Sequence, residues 1–237
     1  MSVLSTLRDP RLRPVVSAGV TLGLSVGLFA VSFGVAAVAA GASTAQACAM
    51  SLLVFTGASQ FSAVSVIAGG GSVGSALSGS LLLAARNGVY GLAMSSRLQG
   101  RLATRLIAAQ LTIDESTAMS AAQDDPDAQR VAFWVTGVSL YVFWNLGTLI
   151  GALAGSAIDP KTFGLDAAVP AAFVAMLWPQ LRTLRGRLAA LLGAGICLVT
   201  IPFVPIGLPV LAAALAILVG VPMGDPALDA VHDGVTT

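Results

Sequence analysis

Between Arg13 and Arg86 the chain reads PVVSAGVTLGLSVGLFAVSFGVAAVAAGASTAQACAMSLLVFTGASQFSAVSVIAGGGSVGSALSGSLLLAA, without one charged side chain. A helix crossing a bilayer needs ~20 consecutive apolar residues, so this run holds two to three membrane spans. They are expected at Val15 to Ala40, Ala45 to Ala68 and Ser75 to Ser96, parted where Gly41-Ala42-Ser43-Thr44 and Gly69-Gly70-Gly71-Ser72 place consecutive small, flexible residues. Further along, Val131 to Ile158 reads as one long span and Phe163 to Leu181 as a short one interrupted by Pro170. Leu188 to Gly224 has the length of two short helices, broken by Pro202, Pro205, Gly207 and Pro209. The fold class is therefore all-α: a polytopic integral membrane protein of about seven helices, a single membrane domain over 1–237 with a polar connecting segment at 106–129.

Composition supports the same class. Of 237 residues, 56% are hydrophobic and 10% charged, and the mean hydropathy is +0.89; a soluble domain carries roughly a quarter charged residues. Twelve Lys+Arg against eleven Asp+Glu leave no basic stripe for nucleic acid. Cys48 and Cys197 lack the spacing of a disulfide framework or a metal site, so both read as packing residues and no metal or cofactor is expected. Arg8, Arg11 and Arg13, an apolar run and Ala37-Val38-Ala39 have features of a signal peptide, but the run is nearly twice the usual ~7 to 15 residues, and it is read as retained.

Arginine clusters favour the cytoplasm. Arg8/Arg11/Arg13, Arg130 and Arg182/Arg185/Arg187 agree with one another if the N-terminus is inside. Arg97/Arg101/Arg105 do not: three full spans before them would put them outside, unless one early segment is re-entrant or Leu102 to Ala122 itself crosses. Thr56-Gly57-Ala58-Ser59-Gln60 is a plausible break in the second segment, since non-helical backbone at membrane depth is tolerated where it lines a cavity.

Polar groups inside the apolar runs are the candidate site. Phe55, Thr56, Gly57, Ala58, Ser59, Gln60 and Phe61 form one cluster, in which Gly57 permits an unwound backbone whose free N–H groups meet a carboxylate. Helix packing explains small residues equally well, but Gln60 is an amide that burial obliges to find partners. Arg86, followed by Asn87, sits in the third run; its guanidinium either clamps a carboxylate ligand bidentately, pairs with a carboxylate of the chain, or snorkels to the interface. Thr112-Ile113-Asp114-Glu115-Ser116-Thr117 holds two adjacent acids, one of which either couples protons through a raised pKa or starts a solvated helix, with Asp114 as cap; Thr112 and Ser116 are its nearest candidate partners. Trp144 and Asn145 lie mid-helix, and Asp166 heads the short span, where it also serves as a cap. The ladders Gly19/Gly23/Gly27 and Gly147/Gly151/Gly155 read as tight helix contacts.

Absences narrow the chemistry. Gly57-Ala58-Ser59 has the G-x-S of a membrane serine protease, yet the single histidine, His232, lies beyond the last span. HExxH, Walker A and GxGxxG are missing. The chain is read as a translocator and not an enzyme. Residues 14–105 and 130–223 are blocks of similar length, each with a long first helix and an interrupted second one, at Gly57-Ala58 and at Pro170, the mark of an internal repeat of 3+3 type.

Five ordered motifs carry a family resemblance: Phe55 to Phe61, Arg86 with Tyr90-Gly91, Thr112 to Glu115, Trp144-Asn145-Leu146-Gly147-Thr148, and Phe163-Gly164-Leu165-Asp166. In this order and spacing the chain resembles the AzlC family, the large subunits of bacterial branched-chain amino acid exporters, from about Gly19 to Leu218. Where that family often has an Asn two residues before the Arg and a His after it, this chain has Ala84 and Asn87. The resemblance implies a multi-pass protein of the bacterial cytoplasmic membrane that exports leucine, isoleucine, valine or methionine, driven by the membrane potential or protons, with a small AzlD-type membrane subunit. The residues themselves ask for the same things. A zwitterion with an apolar side chain needs an anion site, from Arg86 or the Gly57 backbone; a cation site, from Asp114, Glu115 or Asp166; and apolar walls such as Phe55, Phe61 and Trp144. A channel or permease for another small solute would use the same groups.

Overall fold

The computed structural model describes residues 9–98, 100–157, 180–204 and 208–216, together with Val174, Leu177 and Trp178. Every regular element among them is helical. They fall into two units, Met1–Ala172 and Phe173–Thr237. The first contains α1 (Arg13–Ala39), α2 (Thr44–Val54), α3 (Ala58–Ala68), α4 (Val73–Met94), α5 (Leu102–Leu111), α6 (Asp114–Ala121) and α7 (Pro126–Ala157). The second contains α8 (Leu184–Thr200) and α9 (Leu208–Ala213).

The first unit is built on α1 and α7, the two helices among the described residues that are long and apolar enough to cross a membrane outright. At 1.5 Å per residue they measure ~40 and ~48 Å, more than a ~30 Å hydrocarbon core. They run parallel and very close. Gly19, Gly23 and Gly27 lie against Thr136, Ser139 and Phe143, and Gly147, Gly151 and Gly155 lie against Gly27, Val31 and Val35. The two expected glycine ladders are thus one interface, tiled end to end. A Cβ on Gly23 would stand 2.7 Å from that of Ser139, so these positions admit no side chain without pushing the helices apart. Helix α7 starts earlier than the expected Val131, because the Asp125 carboxylate accepts a 2.9 Å hydrogen bond from Ala128 N and carries the first turn past Asp127 and Arg130.

The second expected span, Ala45 to Ala68, is not a crossing. It is two half-helices, α2 and α3, of 11 residues each, ~16 Å long, or half a hydrocarbon core. Ser43 starts α2 with a reciprocal cap to Gln46 (2.8 and 3.2 Å). Phe55 then adopts φ 38°, ψ 54° and Gly57 φ 57°, ψ −89°, left-handed backbone that reverses the chain. Gln46, Ala47 and Met50 of α2 and Val64 and Ile67 of α3 line one cavity beside the end of α1, while the join between them rests on Tyr141 and Trp144 in the middle of α7. The segment therefore enters and leaves at the same end of the unit: it is a re-entrant hairpin.

Helix α4 runs in the opposite direction, back to the end where Arg97 lies beside Arg130 at the start of α7. A second hairpin follows, now from that end. Helix α5 rises until Leu111 meets Gly137, the chain turns at Thr112 and Ile113, and α6 returns along the first half of α7 with Ser116 and Ser120 buried. Leu102 to Ala122 does not cross either. With one early segment re-entrant, Arg11, Arg13, Arg97, Arg101, Arg105 and Arg130 belong to one end of the unit, and the misfit of the Arg97 cluster disappears. A long helix followed by a hairpin of half-helices occurs twice, as α1 with α2–α3 and α4 with α5–α6, entered from opposite ends. The expected halves 14–105 and 130–223 divide the chain differently, and Pro170 lies outside the described residues.

In the second unit α8 ends at Thr200 and α9 begins at Leu208. Of the residues expected to mark a break, Pro202 lies between the two helices, Pro205 and Gly207 lie outside the described residues, and Pro209 lies within the first turn of α9, where proline is tolerated. Gly193 faces Ala213 and Ala216 there.

Two outcomes follow from this architecture. Gly151→Leu places a branched side chain where Val31 backbone lies and should lower stability in detergent by about 1 to 3 kcal/mol; an unchanged melting temperature would contradict the contact. In a background without Cys48 and Cys197, single cysteines at Ser43 and Ser72 should react with an impermeant maleimide from one face of right-side-out vesicles, and cysteines at Arg101 and Asp127 from the other. Labelling of the Ser43 and Ser72 positions from opposite faces would refute the re-entrant hairpin.

Candidate functional site

Two chain reversals in mid-membrane leave backbone groups without helical partners, and in an apolar surrounding each such group costs several kcal/mol. Side chains close both. At the first reversal Gln60 Oε1 accepts from Thr56 N (3.3 Å) and Gly57 N (3.1 Å), while its Nε2 donates to Met50 O at 3.2 Å. The carbonyls at the end of α2 are taken by Tyr141 Oη, which donates to Leu52 O at 3.0 Å, and by Gln110 Nε2, which donates to Leu52 O and Leu53 O at 3.1 and 3.3 Å. Gln110 belongs to α5, so the tip of the second hairpin is fastened to the tip of the first. At the second reversal Ser116 Oγ accepts from Ile113 N (3.1 Å) and donates to Leu111 O (2.6 Å), and Thr112 Oγ1 donates to Ala108 O at 2.7 Å. Thr112 and Ser116 therefore serve the backbone, not Asp114 as the sequence reading had them.

Asp114 does not cap its helix; Ile113 holds that position. Its carboxylate pairs with the Arg86 guanidinium of α4, Oδ2 to Nη1 at 2.8 Å, both groups half-buried. Of the three roles open to Arg86 in the sequence, the described conformation has the pairing with a carboxylate of the chain. Tyr90, one turn further along α4, lies beside the same carboxylate.

Around the facing tips lies a set of buried polar atoms without hydrogen-bond partners among the described residues. The donors are Thr56 Oγ1, Ser59 Oγ, Arg86 Nε, Thr117 Oγ1 and Trp144 Nε1, and the acceptors are Asn87 Oδ1, Asp114 Oδ1 and Asn145 Oδ1. Buried polar groups in folded proteins are overwhelmingly paired, so a concentration of exceptions marks a place prepared for something else. Ser59 is 1% exposed and stands in the first turn of α3, where N–H groups lack helical acceptors and the dipole favours an anion. Asn145 uses its Nδ2 on Tyr141 O (2.7 Å) and keeps its oxygen free.

On the far side of the first tip from Arg86, Phe61 and Trp144 join Phe29 and Phe33 in one aromatic cluster, with ring centroids 5.2 to 6.4 Å apart. Beyond it, toward the end of the unit without arginines, is the cavity of about 300 Å³ lined by Ala37, Met50, Val64, Ile67 and their neighbours, with Gln46 as its polar member. The site thus has a charged, hydrogen-bonding floor and an aromatic lid.

Of the residues singled out in sequence, Thr56, Gly57, Ala58, Ser59, Gln60, Phe61 and Trp144 meet at the first tip, and Arg86, Asn87, Asp114 and Glu115 at the second. Phe55 turns aside, its ring edge-on to Tyr141 at 4.9 Å. Asp166 lies outside the described residues. Sequence reasoning missed Gln110, Tyr141, Phe29 and Phe33. Gln110 was discoverable as an amide ending an apolar stretch; the two phenylalanines carry no signal within a uniformly apolar helix.

Gln60→Leu removes the partner of two reversed N–H groups. It should cost about 1 to 3 kcal/mol of stability, whereas Gln60→Glu, which keeps an acceptor, should cost less; equal melting temperatures for wild type and Gln60→Leu would contradict the fastening role.

Comparison with known proteins places the chain in a family. The profile of the family described as AzlC protein matches residues 21–158, the stretch from α1 to the end of α7. The chain is 26% identical over 208 residues to the branched-chain amino acid transport protein AzlC of Bacillus subtilis, covering 86% of this chain and 79% of that one. It is 30% identical over 186 residues to the inner membrane protein YgaZ of Escherichia coli (73% and 76%), and 27% identical over 174 residues to an uncharacterized membrane protein of Helicobacter pylori (73% and 76%). No solved structure matches. Because the profile spans more than half of the 237 residues and takes in both hairpins and both halves of the polar cluster, the chain belongs to the AzlC family of membrane proteins.

Proposed function

We propose that this protein is a secondary transporter that exports branched-chain amino acids (leucine, isoleucine, valine and, by size, methionine) across the bacterial cytoplasmic membrane. The observation that carries the reading is the set of unpartnered buried donors and acceptors between the two hairpin tips. A free amino acid presents both charges on one carbon, so its site needs donors and acceptors a few ångströms apart, as here. Since Arg86 is already paired, the first turn of α3 with Thr56 and Ser59 is the better seat for the substrate carboxylate, and discontinuous helices use such ends in this way. Asp114 Oδ1, Asn87 and Asn145 then face the ammonium. The side chain lies against Phe61 and Trp144. Transport chemistry is all that these groups need to perform, so the reading is not that of an enzyme.

The B. subtilis relative, by its name, transports branched-chain amino acids, which supports the substrate class. Coupling falls to Asp114 or Glu115, and Asp166 stays a third candidate. When a substrate ammonium or a proton neutralises Asp114, Arg86 is released, and the link between α4 and the second hairpin opens. By the positive-inside rule the arginine-bearing end is cytoplasmic, so export runs from the Arg86–Asp114 side past the aromatic cluster into the apolar cavity. A small AzlD-type membrane subunit completes the exporter.

The test is efflux of preloaded radiolabelled leucine from cells and vesicles, with and without a co-expressed small subunit. Loss of one hydrogen bond to a charged group amounts to about 1.5 to 3 kcal/mol, so Thr56→Val and Ser59→Ala should weaken apparent affinity by about 10 to 100-fold at equal membrane abundance. Asp114→Asn should abolish the dependence of efflux on external pH. Normal leucine efflux in the Ser59→Ala, Thr56→Val double variant would refute the site, and efflux of unrelated solutes in preference to leucine would favour a permease of other specificity.

A further inference from the structure

At the arginine-bearing end, Arg97 from the end of α4 and Arg130 from the first turns of α7 open onto one cavity of about 370 Å³, with Ser96, Pro126 and Gln129 as its other walls. No acid lines it. Neither arginine forms an ion pair among the described residues; of the carboxylates that precede Arg130, Asp124, Asp125 and Asp127, none lines the cavity, and Asp125 is turned onto Ala128 N. Both side chains are exposed, and two cations at the walls of one cavity attract an anion to it.

Depth identifies the anion. Arg86 and Trp144 mark mid-membrane at the hairpin tips. Arg97 is eleven residues beyond Arg86 and Arg130 fourteen before Trp144, so at 1.5 Å per residue they stand ~16 to 21 Å from the midplane, at or just outside the edge of a ~30 Å core. This is where phospholipid phosphates lie. About one and two turns inward from Arg97, Leu92 and Val89 are 77% and 67% exposed, a track along which an acyl chain can run. A soluble phosphate would not need it.

We propose that the Arg97/Arg130 cavity is a binding site for the phosphodiester headgroup of an anionic phospholipid of the inner leaflet, which bridges α4 to α7 and so fixes the end of the helix that carries Arg86. Basic pockets between helices at the cytoplasmic level recognise such headgroups, with guanidinium forks matched to phosphate oxygens. The proposal does not depend on which solute is transported.

Native mass spectrometry of the detergent-solubilised protein, supplied with equal phosphatidylglycerol and phosphatidylcholine, tests it. Wild type should retain phosphatidylglycerol in about tenfold preference. R97Q/R130Q should lose that preference, R101Q/R105Q, which removes the same charge nearby, should keep it, and R97K/R130K should retain part of it. A melting temperature raised by phosphatidylglycerol in wild type but not in R97Q/R130Q gives an independent readout. Equal loss in both glutamine pairs would reduce the effect to general surface charge and overturn the proposal. Displacement of the lipid by millimolar glycerol phosphate would overturn it too, in favour of a soluble phosphate ligand.

Discussion

A helix that stops in the middle of a bilayer exposes amide and carbonyl groups where no water can meet them, and the rest of this structure follows from how that problem is solved twice. Gln60 and Ser116 each reach back across a reversal and pair the freed backbone from within their own hairpin. Gln110 and Tyr141 pair what is left from outside it. Because those outside partners come from α5 and α7, satisfying the first hairpin's carbonyls also sets its position against the second hairpin and the long helix pair. Hydrogen-bond satisfaction and tertiary position are here the same set of contacts. Glycine supplies the frame: α1 and α7 approach closely enough for backbone to touch backbone, and so present Tyr141, Trp144 and Asn145 at a fixed height for the tips to meet.

Charge placement and chain path constrain each other in the same way. Six arginines gather at one end of the first unit only because the early hairpin does not cross; if it did, Arg97, Arg101, Arg105 and Arg130 would sit opposite Arg11 and Arg13. Arg86 is the exception that had to be made inside. Its partner, Asp114, is the first residue of a half-helix, a position where the helix dipole already favours a carboxylate. The pair is therefore held by the dipole from one side and the guanidinium from the other, while Asp114 keeps an oxygen and Arg86 a nitrogen unpartnered.

Much of this was legible in the sequence. The charge-free run, the glycine ladders and the break at Gly57 are composition and spacing, and each stands where expected. The misfit of Arg97 was legible as well: it left a re-entrant early segment, with the second as the candidate, or a crossing by Leu102 to Ala122 as its two explanations. What stayed hidden were relations between distant segments: that Arg86 would meet Asp114, that Gln110 would reach Leu52, and that Leu102 to Ala122 would fold back at Thr112. Hydropathy cannot separate two half-helices from one whole helix when the turn between them is made of Phe55, Thr56 and Gly57. The decisive quantity there is backbone conformation, and only Gly57 announces it.

The same reasoning says why the site is built at the tips and not elsewhere. A continuous helix has its N–H groups and carbonyls engaged, so its only means of binding a zwitterion are side chains, which must be desolvated with their charge. A broken helix offers backbone N–H groups and dipole ends already paid for by folding, and adds charge only through the one pair that can be exchanged. Under the proposed function, an arriving carboxylate meets the first turn of α3 and an arriving ammonium competes with Arg86 for Asp114. On that reading a zwitterion brings one charge of each sign, so the buried region stays near neutral with or without its occupant. A protein that holds and releases a charged solute in a medium of low dielectric needs that balance, and in the proposed function the Arg86–Asp114 pair is what supplies it.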